Sequence, residues 1–392
     1  MQMKTCLKPL ALLGLGLLTS ACLHDKSDDD KDEVHGGNGL AIVTTVASDY
    51  SSGAHSAITL HDEPRKVSNN LVPAGSDLTA KAFGEYFYRI GRFNADNVTK
   101  FHVSAPAQPI WQFSTQDAGD STSRNPHDLV FANANEAYLL RYGSPTAWIV
   151  NPGVSEEANF KVGELDLSAY DDGDGIPEMD QGLIVKNKLF ITLQRLDRNN
   201  GFTPGEAYVA VFDLASQTEI DTGKGQNGLK GILLPIRNPG KIVYSAATDL
   251  IYVQGIGSYA ANTFNGGIAT IDPDTYAVSL LVDDQSTADG GVGKIANMVI
   301  VSASKGYLVG YAGFGDNTLY QFNPSTGEVD PTPVAGQNSK NIADIERGGH
   351  NKLWLSDQSN AEVVIIDMED NQVEERINTE LNPNQIVFVG TL

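Results

Sequence analysis

Three short stretches of this chain carry residue types that could do chemistry. Residues 169–180 form an acidic run broken by glycines, with Asp172, Asp174, Glu178 and Asp180 along it. Hard cations such as calcium take several oxygens from a short flexible loop, so these four carboxylates are a candidate metal set. Arg141 and Tyr142, and then Arg195, each follow an apolar stretch that reads as a strand, which predicts that they share one rim. Arginine and tyrosine are strong recognition groups, so all three are candidate ligand contacts. Finally, Asn125-Pro126-His127-Asp128 places one imidazole beside one carboxylate, a candidate ligand or base.

Each stretch also has a plainer reading. Against the twelve-position loop of a calcium-binding helix–loop–helix hand, Gly175 takes the turn position and Asp172 and Asp174 take ligand positions. Tyr170 falls where an aspartate belongs and Gln181 where the bidentate glutamate belongs, so an ordinary Asp-rich turn is the alternative. Arg141 and Arg195 could equally pair with carboxylates between structural units. His127 could be a structural histidine in a turn. His55, His61, His102 and His350 are scattered without metal-ligand spacing. The chain shows no Gly-x-Ser-x-Gly elbow, no His-Glu-x-x-His and no phosphate-binding glycine loop. Gly-Ile-Gly at 255–257 and Gly-Phe-Gly at 313–315 read as plain loops.

The elements that must position these residues are strands. Glycine is abundant at 39 residues, turn clusters are frequent, and no long amphipathic helical stretch is present. One unit recurs: an opening turn, often Asn-Pro, then a strand, a polar turn, a second strand, a variable loop, and a third strand ending in Asp or Asn. The clearest copy opens at Asn125-Pro126 and runs through strands at 129–131, 137–141 and 147–150 to Asn151-Pro152. Others span 176–213, 238–275, 298–327 and 342–367, with weaker copies at 83–113 and 41–60. Spacings of about 40–60 residues match propeller blades. The copy at 41–60 lacks an opening strand, and Asn382-Pro383 precedes a spare one at 385–389. Pairing the two would close the ring and remove exposed sheet edges. The expected fold is all-β, a propeller of seven blades, with six or eight as neighbouring counts and two β-sandwiches as the competing architecture.

These units, 125–152 and 238–275 above all, resemble the YVTN-type or surface-layer-type seven-bladed β-propellers, over residues 41–392. The resemblance implies fold more than function. Such propellers include periplasmic proteins of unclear role and surface lipoproteins that capture cobalamin for an outer-membrane transporter, and related propellers include lactonases. A fold shared by binders and enzymes leaves activity to the site.

The N-terminus predicts the compartment. Lys4 and Lys8 precede an apolar run at 9–18 that is too short to span a bilayer, which takes about 20 residues, and fits a signal peptide. Thr19-Ser20-Ala21-Cys22 resembles the lipobox of bacterial lipoproteins, with Leu18 one place early. The expected organisation is a signal peptide over 1–21, an acylated acidic tether over 22–39 and a propeller over 40–392. The chain holds 2 cysteines, and Cys6 lies in the segment to be removed. A lone exported thiol is odd, whereas a lone acylated Cys22 is not. With no mature cysteine pair, covalent haem attachment and iron–sulfur binding are excluded within one chain. Leu23, rather than Asp, after the cysteine implies the outer membrane by resemblance to lipoprotein sorting.

Net charge completes the picture. Loss of Lys4 and Lys8 takes the formal charge from −22 to −24. That sign excludes nucleic acid as an expected partner and opposes direct docking on anionic lipid. The membrane is then met through acyl chains. The leading expectation is a binding protein for a small molecule or an outer-membrane transporter or porin, not an enzyme. The alternatives are a metal-dependent hydrolase or lactonase using Asp128, Glu178 and Asp180, and a structural envelope component.

Overall fold

A computed structural model describes residues 39–390; the signal segment, Cys22 and the tether as far as residue 38 lie outside the described residues. Among the described residues no helix is long and apolar enough to cross a membrane. The strands form a seven-bladed β-propeller.

Blade 1 takes its inner strand from the C-terminus, Asn382–Val389, followed outward by Leu40–Val46, Gly53–Thr59 and Val67–Ala74. Blade 2 runs Leu78–Phe83, Tyr86–Gly91, Asn97–His102 and Pro109–Ser114, and blade 3 runs Pro126–Asn133, Glu136–Arg141, Thr146–Val150 and Lys161–Asp166. Blade 4 starts at Met179–Val185, blade 5 at Pro239–Ser245, blade 6 at Lys294–Ile300 and blade 7 at Ile342–Gly348. Leu40 pairs with Val389 and Val46 with Asn382, so the two chain ends share one sheet as the spare-strand argument requires.

In blade 2 the chain turns at Gly84 and Glu85 between the first two strands, so the weak copy at 83–113 begins at the end of its inner strand. Blade 1 has an outermost strand, Val67–Ala74, that the repeat pattern did not show; Asn70 and Val72 there have positive φ, which breaks the alternation a strand normally displays. Blade 6 has three strands, and its outer edge is met by single bridges Phe322–Val329 and Asn317–Lys340.

The middle strands of the blades are buried on both faces. In Lys188–Leu193 of blade 4, Leu189, Ile191 and Leu193 pack toward blade 3 while Phe190 packs toward blade 5. Near-continuous apolar runs are the sequence mark of such two-sided burial. Each of the seven blade boundaries has its own apolar cluster. Every fully buried aliphatic side chain there contributes roughly 1.5–3 kcal/mol.

Turn chemistry follows the repeat. Asp272 accepts N–H bonds from Asp274 and Thr275, and Asn323 accepts one from Ser325, capping the turns that end third strands. Pro126, Pro239 and Pro383 sit at or beside the first residue of an inner strand, where a missing N–H is tolerated. Six inner strands then carry a register shift near their start, blade 2 being regular there. Such bulges re-aim side chains, here toward the ring axis.

Candidate functional site

The bulged starts of the inner strands surround the mouth of a central channel. A cavity of about 390 Å³ opens there, lined by Lys81, Gln181, Lys241, Asn297, Glu346 and Gln385 among others. The lining comes from six inner strands and carries both signs of charge. Lys241 Nζ lies 2.5 Å from Glu346 Oε1 and 3.5 Å from Asp344 Oδ1. Burial works against the Lys241 charge, but the two carboxylates outweigh it and raise its pKa. Burial likewise raises the Glu346 carboxyl, against the pull of Lys241.

Carboxylates and amides also tie neighbouring blades together at this mouth. Asp128 Oδ2 of blade 3 accepts the Gly182 N–H of blade 4 at 2.9 Å, and its Oδ1 lies 3.0 Å from Lys81 of blade 2. Asp344 of blade 7 accepts the Ile386 N–H of blade 1 at 2.9 Å. Gln385 of blade 1 accepts the Ala80 N–H of blade 2 at 2.8 Å. A buried carboxylate with two or three such bonds is stable only while they persist.

His127, Asp180 and Tyr142 come together at the same end. His127 Nδ1 is 2.7 Å from Asp180 Oδ1, and the Tyr142 ring stacks on the imidazole at 4.1 Å between centroids. Tyr142 donates to Gln194 Oε1 at 2.7 Å. Burial lowers the His127 pKa despite the neighbouring Asp180 carboxylate, so the ring is neutral at neutral pH. A neutral imidazole facing a carboxylate carries its proton on Nδ1, leaving Nε2 as an acceptor. Burial raises the Tyr142 hydroxyl, reinforced by Asp180 and Glu178.

The acidic loop divides the four candidate metal ligands. Asp172 and Asp174 stand with Asp171 in a group whose ligand atoms lie within 4.8 Å of one another, the one such set of three among the described residues. Glu178 is fully buried elsewhere, 2.8 Å from Arg198 Nε and accepting the Leu196 N–H at 3.0 Å. Burial pushes its carboxyl up to about 7, against the pull of Arg198 and the Leu196 amide. Asp180 belongs to His127. Of the expected set of Asp172, Asp174, Glu178 and Asp180, the first two thus stand together with Asp171, while Glu178 is tied to Arg198 and Asp180 to His127. Asp128, Glu178 and Asp180 do not converge either.

The two arginines serve packing rather than the mouth. Arg141 is 2% exposed, 3.1 Å from Asp117, and lies over the Trp148 ring at 4.3 Å. Arg195 donates to the carbonyls of Tyr170 and Glu206, both at 2.8 Å. Arg141, expected at a ligand, is thus taken up by a carboxylate, and Arg195 by backbone carbonyls. Sequence reading missed Lys81, Lys241, Asp344, Glu346 and Gln385. A signal for three mouth residues was present: Asp128, Lys241 and Gln385 each stand two places after a blade-opening proline.

No protein-family profile and no curated protein sequence matches the chain. Solved structures do. The periplasmic gluconolactonase PpgL of Pseudomonas aeruginosa aligns at TM-score 0.59 and 11% identity, over 90% of this chain and 100% of that one. A protein from Lactobacillus plantarum aligns at TM-score 0.60 and 14% identity, over 89% and 98%. Apo AztD of Citrobacter koseri aligns at TM-score 0.50 and 15% identity, over 90% and 98%. At these identities the likeness is one of fold.

Proposed function

We propose that this chain is an exported lipoprotein, acylated at Cys22, whose propeller binds a small polar ligand at the mouth of its central channel. The observation that carries the binding reading is the mouth itself. It is concave, assembled from six blades, and lined by amides and paired charges at a volume within the roughly 300–1,000 Å³ of small-ligand sites. The signal-like segment 1–21 and Cys22 support export and anchoring. The described chain begins at Gly39 beside Leu60 and Val389, at the ring end opposite the mouth. An accessory role beside an outer-membrane transporter or porin belongs to the same reading.

The test is native mass spectrometry of the full chain purified from envelopes, with parallel identification of co-purifying proteins. A retained small molecule that is lost in Lys241→Met supports the reading. A ligand-free wild type, with no envelope partner recovered, overturns it. Membrane release of Cys22→Ser tests the anchor separately.

One observation favours a second reading, a hydrolase of esters or lactones. The neutral His127, oriented by Asp180, is arranged as a general base. Hydrolysis of a sugar lactone by the wild type and its loss in His127→Gln would establish it. Calcium held by Asp171, Asp172 and Asp174 would be read by titration of the wild type against Asp172→Asn.

A further inference from the structure

Among the described residues, the face that carries the mouth gathers the most exposed aromatic side chains. Tyr50, Phe93, Phe202, Tyr259 and Phe314 are all between 56% and 83% exposed. Each sits in the loop between the second and third strands of its blade, in blades 1, 2, 4, 5 and 6 in turn. Blade 3 contributes Tyr142 from the corresponding loop, and the loop of blade 7, residues 358–361, has no aromatic residue. Those loops lie at the mouth end, because Gly91, Arg141, Gly255 and Asp357 pair with residues that open inner strands. The other strongly exposed large apolar residues, Val67, Ile110, Val162 and Leu280, are on outermost strands at the ring circumference.

Local geometry holds these rings outward. Phe314 and Gly315 form the tip of the hairpin that pairs Gly313 with Asp316, and Gly315 has φ +73°, a conformation glycine supplies without strain. The aromatic residues come singly, between polar or small neighbours such as Ser-Asp-Tyr50-Ser and Ser-Tyr259-Ala. They do not make the contiguous apolar core of a protein interface. Instead they ring a polar cavity.

The channel cations are already neutralised. Lys241 is held by Glu346 and Asp344, Lys81 by Asp128, and Arg92 by Asp77 at 2.6 Å. The three cations that line the channel are thus each paired with a carboxylate, and the chain as a whole is acidic, at −22. Its carboxylates are paired too, so a cation gains little. The rest of the polar lining is mostly side-chain amides, Gln181 and Asn384 among them, with exposed aromatic rings on the loops of the same face. Sugar rings present hydroxyl edges to amides and carboxylates and C–H faces to aromatic rings.

Resting on the binding reading above, we infer that the mouth face binds a neutral saccharide, with aromatic loop residues such as Tyr259 stacking on sugar rings and the channel-mouth amides taking its hydroxyls.

The experiment is titration calorimetry of the full chain against neutral oligosaccharides (gluco-, manno- and N-acetylglucosamine hexamers) and an acidic series (oligogalacturonate and sulfated oligomers). At least one neutral oligomer is expected to bind. Its affinity should fall about tenfold in Tyr259→Ala and again in Phe314→Ala, and persist in high salt. Those side chains are exposed, so both variants should keep the wild-type melting temperature. Binding of the acidic series alone, or neutral binding indifferent to both substitutions, overturns the inference. Absence of glycan binding while native mass spectrometry still finds a channel ligand sinks the saccharide class and leaves the binding reading standing. Absence of both sinks the two together.

Discussion

His127 Nδ1 and Asp180 Oδ1 lie 2.7 Å apart across the boundary between blades 3 and 4. Burial and Asp180 pull the imidazole in opposite directions, and burial wins. Replacing Asp180 with Asn removes the opposing pull while keeping a hydrogen-bond acceptor. The His127 pKa should then fall further, by a margin visible in the pH dependence of its ring NMR shifts. An unchanged titration would mean that the carboxylate does not govern the ring.

Asp128 has more bonding partners than Asp180. It accepts the Leu129 and Gly182 amides and faces Lys81, with 1% of its side chain exposed. Asp128→Ala orphans the Leu129 and Gly182 amides and a lysine together, which costs about 3–5 kcal/mol. Asp128→Asn keeps one acceptor oxygen and should lose about half as much. Urea unfolding midpoints of the two variants give the comparison. Equal losses would assign the effect to the ion pair rather than the amides.

Much of the ring was legible in the sequence because its signals are local. Asn-Pro openings, Asp-capped turns and two-sided apolar runs each lie within a few residues. The closing strand was legible too, since an unpaired Asn-Pro unit at one end matched a missing one at the other. Blade 2 was blurred because its inner strand, Leu-Thr-Ala-Lys-Ala-Phe, has no proline opening and faces a polar channel. The mouth was not legible, because Lys81, Lys241 and Glu346 are far apart along the chain and meet only when the ring closes. Arg141 misled for a related reason: Asp117, which holds it, lies 24 residues upstream in a connecting loop. The exposed Phe314 looked like filler between glycines until its neighbours around the face were placed.

Ring closure should dominate stability. Ile386 is 1% exposed and packs in the cluster that joins blades 7 and 1. Ile386→Ala should cost about 2–5 kcal/mol, whereas Leu280→Ala on an outermost strand should cost under about 0.5. Deleting residues 382–392 exposes the whole edge of Leu40–Val46, and that form should self-associate in size-exclusion chromatography. A monomeric, fully stable truncation would show that the ring closes without its last strand.

Acid stability turns on His55, which is fully buried between Pro106 and Arg89. Its Nε2 lies 2.9 Å from the Pro106 carbonyl and its Nδ1 3.2 Å from Arg89. Burial, reinforced by the Arg89 charge, holds its pKa down at about 4 against 6.5 for a free histidine. Between those values the unfolded chain takes up a proton that the folded chain refuses. The stability is present above about pH 6.5 and is lost as pH falls toward 4, by about 3 kcal/mol in all. Urea midpoints measured from pH 7 to pH 4.5 should fall accordingly, and a flat profile would remove His55 from the account.

Lys241 tests whether the channel charges act as one unit. Lys241→Met leaves Asp344 and Glu346 facing each other with the cation gone, and at pH 8 this should cost about 3–5 kcal/mol. Adding Glu346→Gln removes one of the stranded charges and should recover most of the loss, a coupling that additive sites would not show. The single variant should also regain stability as pH falls. Its buried Glu346, raised already with Lys241 present, then holds a proton that the unfolded chain releases near the ordinary glutamate value. If Lys241→Met is neutral at pH 8, water already screens these groups. The mouth would then be an open, hydrated funnel whose selectivity rests on the aromatic loops alone.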